Sequence, residues 1–209
     1  MVASVVGLCN LSLSLLGAQD IAALDEASPE ARACARHFGP CLEAVLRDHP
    51  WNFATRRVVL APLAAPVAPG WTYAYALPPD CLLARELVVP QGSAAARFSV
   101  EYAPGAGRVL LTDLAGAALV YTARTEDTAS FDPLFVQALS WRLAAHLAMP
   151  LTRDRALLQM AQTLYLNTLT QAQRADANEG VPESPRDPSW IAARGIASGW
   201  DDVWGGGLS

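Results

Sequence analysis

The sequence predicts an α+β fold: an antiparallel helical bundle formed by both chain halves, a small antiparallel β-sandwich or barrel inserted between them, and an extended C-terminal arm. Three observations predict it. Near both ends of the first 179 residues, apolar side chains recur three and four positions apart, as a helix with one buried face requires. Between Arg56 and Arg124 they fall into short, partly alternating runs separated by proline and glycine. From Gly180 onward no period remains, yet three of the six tryptophans lie there. The expected units are a first helical part at 1–55, a β-rich insert at 56–125, a second helical part at 126–179 and an interaction arm at 180–209.

The first helix is expected over residues 2–16, carried by Val2, Val5, Val6, Cys9, Leu13 and Leu16 and ended by Gly17. Ser28-Pro29-Glu30 starts a second: an oxygen to cap free amides, a proline preset for the first turn, and an acid at the positive helix end. Gly39-Pro40 is expected to kink or restart it, because proline removes a backbone donor, and His49-Pro50 ends it. Strands are expected at 58–60, 71–75, 87–89, 98–102, 109–111 and 119–122. After Asp132-Pro133 the helical period returns in Leu134, Phe135, Ala138, Leu139, Leu143, Ala144 and Leu147 and is expected to stop at Met149-Pro150. Thr152 is the expected cap of a last helix running to about Ala177, antiparallel to the one before it.

At 209 residues the chain can bury a sizeable core. A net charge of −5 argues against wrapping nucleic acid on a basic face, which takes concentrated Lys and Arg. All 15 strongly basic residues are arginine, and the bland explanation, codon bias, is preferred to a functional one. No basic run precedes the apolar start, and Ser4, Asn10, Ser12 and Ser14 interrupt it, so a core helix is expected and no membrane partner. Cys9, Cys34, Cys41 and Cys81 are expected to be free thiols.

Cys34, His37 and Cys41 are spaced to share a helix face, and with Cys9 they could hold zinc, although Pro40 disturbs that geometry and a core role is the preferred reading. A Cys–His nucleophile pair, or a carboxylate pair from Asp25, Glu26, Glu101, Asp113 and Asp132, lacks any flanking motif; such acids beside loops are ordinarily caps and turn formers. No glycine-rich phosphate loop appears. Catalytic residues, metal ligands and cofactors are therefore all expected to be none. Trp71, Tyr73 and Tyr75 are expected on one strand face, as a stacking platform or buried core.

The block from His49 through Pro50, Trp51, Asn52, Phe53, Ala54 and Thr55 to Arg56 and Arg57 joins the helical and strand patterns, and it is expected to anchor the domain junction. It resembles the junction of the tail tubular protein A family, the head-to-tail adaptors of tailed bacteriophages. Cys9 to Gly17, Gly70 to Cys81 and Phe131 to Phe135 resemble that family in the same order. The resemblance implies a virion protein and not an enzyme: a closed homo-oligomeric ring of about twelve subunits, docked beneath the portal protein in the neck. That ring would extend the channel through which double-stranded DNA passes without specific binding, and it would present a platform to a downstream tail protein. Trp190, Ile191, Ile196, Trp200 and Trp204 are the expected contacts of the arm with the portal or a neighbouring subunit. Arg56 and Arg57 could pair with acids across a subunit boundary. The alternative is a small hydrolase or zinc-binding protein with its site between the helical and β units; a third reading is a monomeric binding module.

Overall fold

The computed structural model describes residues 4–64 and 68–179. Its elements are α1 (Val5–Ser14), α2 (Pro29–Asp48), β1 (Thr55–Val59), β2 (Tyr73–Ala76), β3 (Cys81–Leu87), β4 (Phe98–Ala103), β5 (Gly107–Thr112), β6 (Ala118–Ala123), α3 (Pro133–Thr152) and α4 (Arg155–Asn178), an α+β arrangement of four helices and two small antiparallel sheets.

The Ser4 side chain caps α1 by accepting from the Gly7 amide, and the helix turns Leu8, Cys9 and Leu13 inward. Gly17 follows with φ +67°, a conformation that glycine adopts at no steric cost. Asn10 then fastens the loop, donating to the Ile21 carbonyl and accepting from the Ile21 amide. Helix α2 is capped by Ser28, as expected, but it runs unbroken through Pro40. Pro40 and Arg36 both lie on the exposed side, where water can satisfy the carbonyl released by the missing N–H.

Proline is equally tolerated at 150. Helix α3 continues to Thr152, and Arg153 closes it in the left-handed region at φ 56°. Asp154, not Thr152, caps α4, accepting from Ala156 and Leu157 amides; Thr152 donates back to the Ala148 carbonyl instead. Cys9, Leu42, Val45, Trp51, Phe135, Leu139, Leu143, Leu147 and Tyr165 belong to one apolar cluster, so helices from both sides of the β segment share a core.

The strands form two sheets ordered β1-β6-β3 and β2-β5-β4. Past β1 the chain crosses over: Pro62 bridges Tyr75, the Ala76 amide donates to Ala61 and the Leu63 amide to Ala74. Tyr75 and Leu110 of one sheet meet Cys81, Leu87, Leu119 and Tyr121 of the other in a second cluster. The third strand is displaced from its expected place, because residues 87–89 are only its exit: β3 occupies Cys81–Leu87 and carries two register shifts, one between Ala84 and Glu86.

Candidate functional site at the helix–strand junction

The segment between α2 and β1 is tied to the end of α4 by one carboxylate. Asp176, 8 % exposed, accepts from His49 Nε2 at 2.9 Å through Oδ2 and from the Asn52 amide at 3.0 Å through Oδ1. The Asn52 side-chain amide returns a bond to the Asp176 main-chain carbonyl at 2.8 Å. An acid in the last turn of a helix opposes the helix dipole, so Asp176 is held there by its partners and not by helix preference.

Trp51 fills the space beneath. Fully buried, it donates its indole N–H to the Val45 carbonyl at 2.8 Å, so the large ring enters the core without an orphaned donor. Its ring meets Phe135 edge-on at 5.0 Å between centroids and His49 at 4.8 Å; Phe53 in turn packs on Phe131 and Phe135. Arg85 donates to Thr55 Oγ1, and Thr55 donates to the Trp51 carbonyl at 2.7 Å, which links β3 to the junction through the start of β1. Arg56 caps the Phe53 and Thr55 carbonyls. The junction residues thus occupy one another, and what they make is a rigid joint.

Two clefts of about 320 Å³ border this region. One is lined by Pro50, Asn52, Thr55, Arg57, Arg85, Glu86 and Val120. The other lies over α3 and α4 and contains Arg142, His146, Gln162 and Tyr165. In the second, the Arg142 guanidinium stacks over the Tyr165 ring, Tyr165 donates to the Asp48 carboxylate, and His146 stacks on His37. Burial, then the Asp48 carboxylate, pushes the Tyr165 phenol well above its ordinary range. Burial, with Arg142 and His37 adding to it, lowers His146.

The zinc candidates are dispersed among other partners. Cys9 and Cys34 are both buried; the neighbouring Cys34 thiol foremost, then burial, holds the Cys9 thiol above the ordinary range. Burial pushes Cys41 up to about 11, and His37 turns aside to His146. All four cysteines are free and buried, and no group of three metal-ligating side chains converges among the described residues. The carboxylates paired on paper are likewise separate. Asp132 caps α3, Asp113 accepts from Thr72 and pairs with Arg97, Glu101 accepts from Ser99, and Glu26 accepts from the Ala22 amide. The Arg97 hydrogen bond foremost, then Thr72, keeps the Asp113 carboxyl below its usual range.

Tyr73 and Tyr75 share a face of β2, their ring centroids 6.3 Å apart, but Trp71 does not join them. Trp71 precedes β2 and packs with Ala74, Val109 and Leu111 beneath the Arg97 guanidinium, whereas Tyr75 enters the cluster between the sheets and Tyr73 is half exposed. Trp190, Ile191, Ile196, Trp200 and Trp204 lie outside the described residues.

Asp176, Arg85 and Arg142 escaped the sequence reading. Asp176 carried a readable signal, an acid at the unfavourable end of a helix; Arg142 stands one turn before His146 as the only Asp, Glu, Lys or Arg of α3. Arg85 carried none, since a strand of regular alternation would aim it elsewhere. No protein-family model and no curated protein matches the chain.

Proposed function

We propose that this chain is a structural subunit of a tailed-phage virion: a head-to-tail adaptor forming a ring of about twelve copies beneath the portal. The observation that carries the reading is the order of four segments resembling the tail tubular protein A family, from Cys9 through the Trp51 junction to Phe135. The use made of the junction supports it. His49, Trp51, Asn52 and Phe53 are spent on one another and on Asp176, which suits a fixed angle between two bodies and leaves no reactive group there.

Helix surfaces support subunit contacts. From Ala156 to Gln173 α4 carries no charge, and its exposed positions include Met160, Thr163, Leu166 and Thr170. In α1 there is no charge either, and Leu11 is exposed. Loss of charge with retained apolar side chains distinguishes the centre of interfaces from ordinary solvated faces. In this reading 1–55 and 126–179 form the helical bundle that builds the ring. The β insert, 56–125, supports outer contacts, and 180–209 embraces the portal through its tryptophans and isoleucines. A net-negative subunit repeated around a lumen lets DNA slide, where a basic lining would retain it.

Co-sedimentation with its portal protein tests the proposal. The full chain is expected to travel with the portal and a chain ending at residue 179 to remain folded and stay behind. Docking by neither, with turnover of a substrate by the full chain, would replace the adaptor with an enzyme.

A further inference from the structure

The cleft beside the junction is assembled by a break in strand register. Arg57 of β1 and Glu86 of β3 both stand opposite Val120 of β6, which places them in one row across the sheet. The register shift between Ala84 and Glu86 inserts Arg85 as an extra residue and swings it toward Thr55, into the same cleft. Bulges commonly re-aim one side chain in this way.

Two guanidiniums therefore line a cleft of about 320 Å³, and neither has a carboxylate within ion-pair distance among the described residues. Arg85 uses one terminal nitrogen on Thr55, while its Nε is buried without any hydrogen-bond partner. That Nε is closed to solvent, so an incoming group meets the two terminal nitrogens, which present a fork matched to two oxygens. Glu86, on the same rim, is also unpaired and disfavours a long polyanion such as a DNA backbone while leaving room for a single carboxylate.

We propose that this cleft is a carboxylate-receiving site, with Arg85 and Arg57 as its cations, and that its occupant is an Asp or Glu side chain of a second copy of this chain. The chain supplies such groups in excess, 20 acidic residues against 15 arginines. The choice of occupant rests on the reading of the protein as a ring subunit. Arg85 fixes the carboxylate in the plane of its fork, and Arg57, exposed on β1, adds charge from the open side.

Sedimentation velocity over a dilution series of the full chain tests it. Arg85→Gln and Arg57→Gln are each expected to weaken self-association about tenfold or more, and Arg85→Lys, which keeps charge without the fork, to restore only part. Circular dichroism and the melting midpoint should be unchanged for Arg57→Gln, whose side chain is outside the core. Wild-type assembly that neither glutamine variant weakens would overturn the carboxylate site and leave the adaptor reading standing. A wild-type chain that stays monomeric at every concentration, both alone and mixed with the portal, would overturn both the occupant and the ring. Binding of a short DNA duplex that Arg57→Gln abolishes would assign the cleft to phosphate and overturn the proposal.

Discussion

Replacing Asp176 with alanine tests the tie between α4 and the junction. The substitution removes the acceptors of the His49 ring N–H and the Asn52 amide, but it leaves the main-chain bond from the Asn52 side chain in place. Hydrogen bonds to a carboxylate are worth about 1.5–3 kcal/mol each. Asn52 is exposed enough for water to recover part of its loss. The expected cost is therefore about 2–4 kcal/mol, or a melting midpoint lower by roughly 4–16 °C for a chain of this length. Urea unfolding gives the value directly, and two protein concentrations separate it from any contribution of assembly. His49→Ala completes a double-mutant cycle, with a coupling of about 1 kcal/mol or more expected. A cost below about 0.5 kcal/mol, or no coupling, would refute the claim that Asp176 holds the joint.

Three other expectations follow from local chemistry. Because all four thiols are buried and burial raises Cys41 to about 11, a thiol reagent at pH 8 should modify none of them in the native protein and four after unfolding. His146 titrates below its ordinary value in the folded chain, so the unfolded state binds more protons as pH falls through the imidazole range. Stability should be full above pH 6.5 and decline toward pH 5, and His146→Gln should flatten that slope in thermal melts. Gly17→Ala forces a side chain to φ +67° and should cost about 1 kcal/mol in urea unfolding, although no neighbour obstructs the added methyl.

The helices were legible wherever apolar period and capping residues agreed, as with Ser28-Pro29 and Asp132-Pro133. Pro40 does not restart α2 and Pro150 does not stop α3, since whether proline breaks a helix depends on where the released carbonyl faces, and linear sequence does not say. Asp154 and Thr152 show the same limit: two capping residues lay within reach, and the left-handed Arg153 decided between them. Strand β3 was displaced because its alternation is broken by two register shifts, which also hide Arg85. At the junction, the sequence announced Trp51 and Asn52 but not their partners. Asp176 lies 124 residues from Asn52, and only the fold brings them together.

We propose that this chain acts by assembling and not by catalysing. Native mass spectrometry under conditions that retain bound metal, on the protein alone and mixed with its portal, tests that most directly. A ring-sized complex, alone or on the portal, without zinc is expected. A persistent monomer carrying stoichiometric zinc would contradict it.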